Sequence, residues 1–310
     1  MEDFWYVVFE HLSAPHDFRE LGLTCKSAYL KLQRHVDKLR NCRHLERLLR
    51  FFPNKKWDYD YVSGNPNITW DIVQRHPRLP WKYDSLSRNP NITWDIVQQH
   101  PHLPWKYDSL SRNPNITWQI VNSNPKKDWD YLFLSMNPNI TFDIIRQNPG
   151  LGWSYNNFSA NPNVTMDIVK KNPDKDWSYA LLSKNPVIRW NTIQENPDLP
   201  WDYEWLSKNP NITFDIVKQN PHLGWDYSGL SGSSNITWEI VQQNPNIKWS
   251  YAYLSGNPNI TFKHIKDNAV LPWNMGWFST NPNITWELVV QNPDENWNWF
   301  FLSMNTFGKE

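Results

Sequence analysis

The chain has 310 residues with 31 basic and 31 acidic side chains, so its formal net charge is zero and no global field selects nucleic acid or a membrane surface. No apolar run reaches the roughly 18 residues that span a bilayer, the acidic start MEDFWYVVFEHL is unlike a secretion signal, and two cysteines, Cys25 and Cys42, make no disulfide framework. A protein of the cell interior is expected, cytoplasmic and not secreted.

In chain order, residues 1–50 are expected to form a small helical head. Residues 3–29 read DFWYVVFEHLSAPHDFRELGLTCKSAY: an apolar helix, a break at Leu12-Ser13, then Asp17, Phe18, Leu21, Leu23, Thr24, Cys25 and Lys26. This string resembles an F-box, although Asp3-Phe4-Trp5 stands where that motif usually opens with Leu-Pro. The resemblance implies docking onto a Skp-type adaptor of a cullin ubiquitin ligase, with Val8, Phe9, Leu12 and Leu21 at the apolar positions that would bind it. The competing reading is an amphipathic helical cap of unrelated origin.

Residues 31–56 carry nine Lys or Arg against Asp37 and Glu46. Leu45, Leu48, Leu49 and Phe52 recur at helical spacing, which predicts a capping helix laid on the unit that begins at Trp57, with the charges on its solvated face. Nucleic acid binding through this basic segment ranks last among the functional readings.

From residue 54 to residue 305 the chain repeats one phrase. Trp57 recurs at Trp81, Trp105 and onward to Trp297, eleven times at a spacing of 24 residues, Ser63 recurs in all eleven copies, and Asn65 in ten, failing at Ser233. Self-similarity at this period marks a solenoid, in which each unit contacts its neighbours. In ITWDIVQRHP, Thr69 reads as N-cap, Ile68 and Val73 as a hydrophobic staple, and the residue before Pro77 as the stop. In WKYDSLSRNP the same grammar recurs, with a preferred N-cap in nine of eleven copies of the position after the Trp. Each unit therefore encodes two short helices, A (near Tyr83 to Arg88) and B (near Trp94 to Gln99), too short to stand alone in water.

The fold class is all-α: a right- or left-handed α-solenoid of about eleven two-helix units, followed by a tail at 306–310. Helix B, apolar around most of its circumference, is expected to be the buried layer, and Trp81, Trp105 and Trp129 to stack along one axis. An open array would extend on the order of 100 Å at the usual helix spacing, and closure into a ring stays open as an alternative. A leucine-rich repeat fits the period but lacks its L-x-x-L-x-L signature. The N-x-[ST] sites in NIT are read as helix caps rather than glycosylation acceptors. At Gly232-Ser233-Ser234, where both the ladder Asn and its proline are missing, the register is expected to bend or loosen.

The aromatic, Ser and Asn ladders are read as packing, because a binding residue has no reason to recur in every unit. His76 and His100 are equivalent positions one unit apart, and no set of His, Cys or carboxylates stands off the repeat grid, so no metal, cofactor or catalytic chemistry is expected. The position that varies is that of Tyr61, roughly 160° from the inward Tyr59. It is aromatic at Tyr61, Phe133, Trp205, Tyr253, Trp277 and Phe301, and these six are the candidate partner-binding residues, the last three forming a row about 10 Å apart if stacked at the usual helix spacing. The NPNITW-type phrase resembles tandem-repeat proteins of large DNA viruses of amoebae, which often join an F-box-like head to a repeat tail. That resemblance implies host cytoplasm and a non-enzymatic receptor that brings a captured protein to a host adaptor. The runner-up is a scaffold, self-associating and without a ubiquitin role, whose head only seals the solenoid.

Overall fold

The computed structural model describes residues 44–308. The F-box-like string, with Val8, Phe9, Leu12 and Leu21, lies outside the described residues, as do Cys25 and Cys42. Among the described residues there are 22 helices and no strand, and no helix is long and apolar enough to cross a membrane.

The A and B helices fall where the caps and prolines put them. Thr69 accepts from the Ile72 N–H at the start of Trp70–Arg75, and Thr93 accepts from Ile96 at the start of Trp94–Gln99. The A helix Tyr59–Gly64 is capped by Asp58, whereas Tyr83–Arg88 starts at Lys82 with no side-chain cap. A unit buries three apolar positions, one from helix A (Leu86, replaced by Phe at Phe158 and Phe278), one from the turn (Ile92) and one from helix B (Val97). The Trp after each B helix closes that helix: Trp105 Nε1 donates to the His100 carbonyl at 2.9 Å. The ladder Trps do not touch one another directly. Trp105 sits between Tyr83, edge-on at 5.3 Å, and Trp70 at 5.6 Å, so this ladder Trp packs on rings from an A helix and a B helix that precede it in the chain.

Polar ladders join successive units. The Lys82 N–H donates to Ser63 Oγ at 3.0 Å, and Asn89 Nδ2 donates to the carbonyls of Ser63, Asn65 and Ile68 at 2.9, 2.9 and 3.1 Å. The same bonds then join the last unit to the first. The Asp58 N–H donates to Ser303 Oγ at 3.0 Å, and Asn65 Nδ2 to the carbonyls of Ser303 and Asn305 at 3.0 and 2.9 Å. Trp57 meets Trp299 edge-on at 5.1 Å, as Trp81 meets Tyr59. The array is therefore a closed ring of eleven units, not an open rod.

The helix expected to cap the first unit completes this closure. The eleven A helices have ten B helices after them, and His44–Phe51 supplies the eleventh. Its Leu48, Leu49 and Pro53 stand 24 residues before Ile72, Val73 and Pro77, and Trp57 Nε1 donates to the Phe52 carbonyl as every ladder Trp does to its own B helix. On one side Glu46, buried, takes both terminal nitrogens of Arg75 and Nε2 of His76. On the other side Arg47 lies over Trp286 and beside Glu287.

The expectation that helix B is the buried layer is overturned. In a closed ring the layer whose members approach more closely has the smaller circumference. Most neighbouring A helices are in close contact, including Tyr59–Gly64 with Tyr83–Arg88 and, across the seam, with Trp299–Met304. Among B-type helices only His44–Phe51 with Trp286–Gln291 comes as close. The A helices therefore form the inner wall. They bury Ser and Asn completely because the cross-unit bonds satisfy those groups, whereas Trp94 and Ile96 of helix B stay half-exposed.

Candidate functional site

With Val62 and Ser63 buried and Tyr59 packed against Trp81, helical spacing leaves the positions of residues 60, 61 and 64 on the opposite side of helix A. That face points away from the outer layer and into the lumen. Of the seven exposed large apolar side chains among the described residues, six lie on it, namely Tyr61, Leu132, Met136, Tyr253, Trp277 and Phe300; the seventh is Val270 in an outer loop.

Three of the six sequence-predicted partner residues, Tyr61, Tyr253 and Trp277, are exposed there. The other three are half-buried. Phe133 lies under the Arg112 guanidinium at 3.4 Å, Trp205 between the Lys184 and Lys208 ammonium groups, and Phe301 between Trp277 and Phe300. The expected row exists but is tighter than helix spacing suggested: ring centroids are 5.3 Å apart from Tyr253 to Trp277 and 5.4 Å from Trp277 to Phe301. On a concave face side chains converge, which the estimate of about 10 Å from helix-axis spacing did not include. The row then crosses the seam through Phe300, which meets Tyr61 edge-on at 5.0 Å.

Sequence reasoning missed Phe300, Leu132 and Met136, which share the free face at the positions of residues 60 and 64. The signal was available, since these positions lie 100° and 60° from that of Tyr61, both on the same side of it, at helical spacing. Where the arc ends, Asp60, Tyr61, Gly64, Arg88, Phe300 and Met304 line an open cleft of about 680 Å³. Leu132 and Met136 belong to the fourth unit, six steps of eleven from Trp277 in the tenth, and so stand across the lumen from the arc.

Charge on this face is sorted along the helix. The position of residue 60 carries Asp60, Asp84, Asp108 and Glu204 and no cation; that of residue 64, one turn later, carries Arg88, Arg112, Lys184 and Lys208 and no carboxylate. Glu204 and Lys208 pair at 3.4 Å. Acids at the N-terminal edge and bases at the C-terminal edge suit the helix dipoles, and together they give the lumen one acidic mouth and one basic mouth. Deeper in the wall, burial pushes the Tyr59, Tyr83 and Tyr131 phenols above their ordinary pKa, as expected of rings packed edge-on against tryptophan.

No group of three or more His, Cys, Asp or Glu side chains comes together as a metal site among the described residues. His76 is engaged with Glu46, and His100 packs against Trp70 at 5.0 Å. Comparison with protein-family models, curated proteins and solved structures gives no match to this chain.

Proposed function

We propose that the protein is a non-enzymatic protein-binding ring that acts as substrate receptor of a Skp/cullin/F-box-type ubiquitin ligase, its head engaging a host Skp-type adaptor and its lumen holding the captured protein. The observation that carries the capture half is the concentration of exposed large apolar side chains on the inner wall, which holds six of the seven among the described residues. Grouped exposed aromatics are characteristic of protein interfaces, where Trp and Tyr dominate binding hot spots. The adaptor half rests on the F-box-like string in residues 3–29.

The test is recovery of partners from host cytosol on the full chain. Phe9→Asp with Leu12→Asp is expected to abolish recovery of adaptor and cullin while the ring stays closed. Trp277→Ser with Phe301→Ser is expected to leave adaptor recovery intact and to lose the captured protein. Unchanged adaptor recovery in the first variant removes the ubiquitin reading. A scaffold without a ubiquitin role is the second reading, favoured by one observation: His44–Phe51 is built into the ring, so the head leads straight into a structural joint.

A further inference from the structure

The lumen has a size, an apolar arc and a charge order, and together they select one kind of occupant. Eleven helices about 8 to 10 Å apart close a circle about 28 to 35 Å across between axes, and removing one helix diameter of about 10 to 12 Å leaves a bore about 16 to 25 Å wide. The side chains give a compatible figure: neighbouring rings 5.3 and 5.4 Å apart over one-eleventh of a turn sit at a radius of about 9 Å, which admits a single α-helix with its side chains. A folded domain is too wide.

The arc from Tyr253 through Trp277 and Phe301 to Tyr61 covers four consecutive units of eleven, roughly the angular width of the apolar stripe on an amphipathic helix. Its neighbours are small: Gly64, Gly256 and Gly276 occupy the positions of residues 60 and 64 in three of those four units, which lets an entering helix come down onto the rings.

Charge fixes direction. Four of the eleven A helices present a carboxylate at their N-terminal edge and four a cation at their C-terminal edge, with no charge of the opposite sign at either position, so an occupant is matched when its own cations lie at the acidic mouth and its own anions at the basic one. Natural helices carry acids near the N-terminus and bases near the C-terminus. Such a helix matches the lumen when it runs antiparallel to the wall, which also sets its dipole against the eleven around it.

We propose that the lumen binds one amphipathic α-helix of a partner protein, antiparallel to the A helices, with its apolar stripe on the Tyr253–Tyr61 arc. This rests on the reading of the ring as a protein-capture device and names what it captures.

The experiment uses the full chain and three fluorescein-labelled, end-blocked 18-residue peptides sharing one apolar stripe at i, i+3, i+4 and i+7. The first has glutamates in its N-terminal half and lysines in its C-terminal half, the second has the halves exchanged, and the third is the first with a central proline. By fluorescence anisotropy the first is expected to bind at least tenfold more tightly than the second, and the third not at all. Trp277→Ser with Phe300→Ser is expected to weaken the first at least tenfold while small-angle scattering reports an unchanged ring. Equal binding of the first two peptides, tight binding of the proline peptide, or binding indifferent to the variant overturns the proposal. Failure of all three peptides overturns it too. If the full chain still recovers a protein that Trp277→Ser with Phe301→Ser loses, protein capture stands and only the helical occupant is removed.

Discussion

Two joints depart from the regular pattern, and they depart in opposite ways. At the seam between the eleventh unit and the first there is no chain connection, yet the Asp58 to Ser303 bond and both Asn65 amide bonds form at distances matching any interior joint. Between the seventh and eighth units the chain is continuous, but Ser233 cannot make the bonds by which Asn257 reaches the carbonyls of Ser231, Ser233 and Ile236 in the next joint. Cohesion in this ring comes from the interface between units and not from the covalent link, as nearest-neighbour coupling in repeat arrays leads one to expect. Imperfections do gather beside the seam. Trp70 Nε1 and Trp286 Nε1, on the first and last B helices of the array, are the buried side-chain polar atoms without a hydrogen-bond partner among the described residues.

The largest expected effect breaks the seam. Leu48 is fully buried in the eleventh B helix, and Leu48→Asp would bury an unpaired carboxylate. Small-angle scattering is expected to show the ring opening, with a larger radius of gyration and helical content largely kept. An unchanged radius would mean that the ladder bonds hold the ring without this helix.

Next in size is the tryptophan ladder. Trp129→Ala, at an interior joint, and Trp57→Ala, at the seam, are each expected to lower stability in urea unfolding by about 3 to 5 kcal/mol, the usual cost of deleting a large buried aromatic. Equal losses would put seam and interior on the same footing. A much smaller loss at Trp57 would show that chain connectivity matters after all.

Smaller again is the amide ladder. Asn161 Nδ2 donates to three carbonyls of the preceding unit, and its Oδ1 accepts from the Asn163 N–H. Asn161→Ala is expected to cost about 1 to 3 kcal/mol, the penalty for leaving buried groups unsatisfied. Asn65→Ala is expected to cost the same across the seam.

Much of the architecture was legible because it is written locally. Thr69, Asp58 and Pro77 decide where helices start and stop, and the observed helices Trp94–Gln99 and Tyr83–Arg88 begin and end where those signals put them. Closure was not legible in the same way. Curvature is set by the small difference between inner and outer spacing, accumulated over eleven units, and no single residue states it. The eleventh B helix was within reach, since Leu48, Leu49 and Pro53 keep the 24-residue frame; Glu46 standing where other units have Trp, Phe or Met concealed it. Helix B looked like the core because hydropathy counts its Trp and Ile and cannot see that a buried Ser63 or Asn65 is satisfied by the next unit. The candidate row was readable from the variability at the position of Tyr61. Its continuation through Phe300 to Tyr61 depends on closure and could not be read before it.

The smallest expected effect repairs the weak joint. The turn at Gly232-Ser233-Ser234 was expected to bend, yet the Ile236 N–H still donates to the Ser233 carbonyl at 3.0 Å, as the Ile260 N–H does to Asn257, and Asn235 Nδ2 still reaches the carbonyls of Pro210 and Ile212. The backbone keeps register there, and what is missing is the amide aimed at the Ser207 and Asn209 carbonyls. Ser233→Asn supplies it, in a turn whose hydrogen bonds already match those of its neighbours. Two added bonds, each worth about 0.5 to 1.5 kcal/mol net, less the entropy of holding one more side chain, are expected to raise stability by about 1 kcal/mol. In the natural sequence amide exchange around residues 231–235 is expected to be faster than around residues 207–211, and the substitution should bring the two together. If exchange at the two sites is equal from the outset, the missing ladder bonds leave this joint no looser than the others.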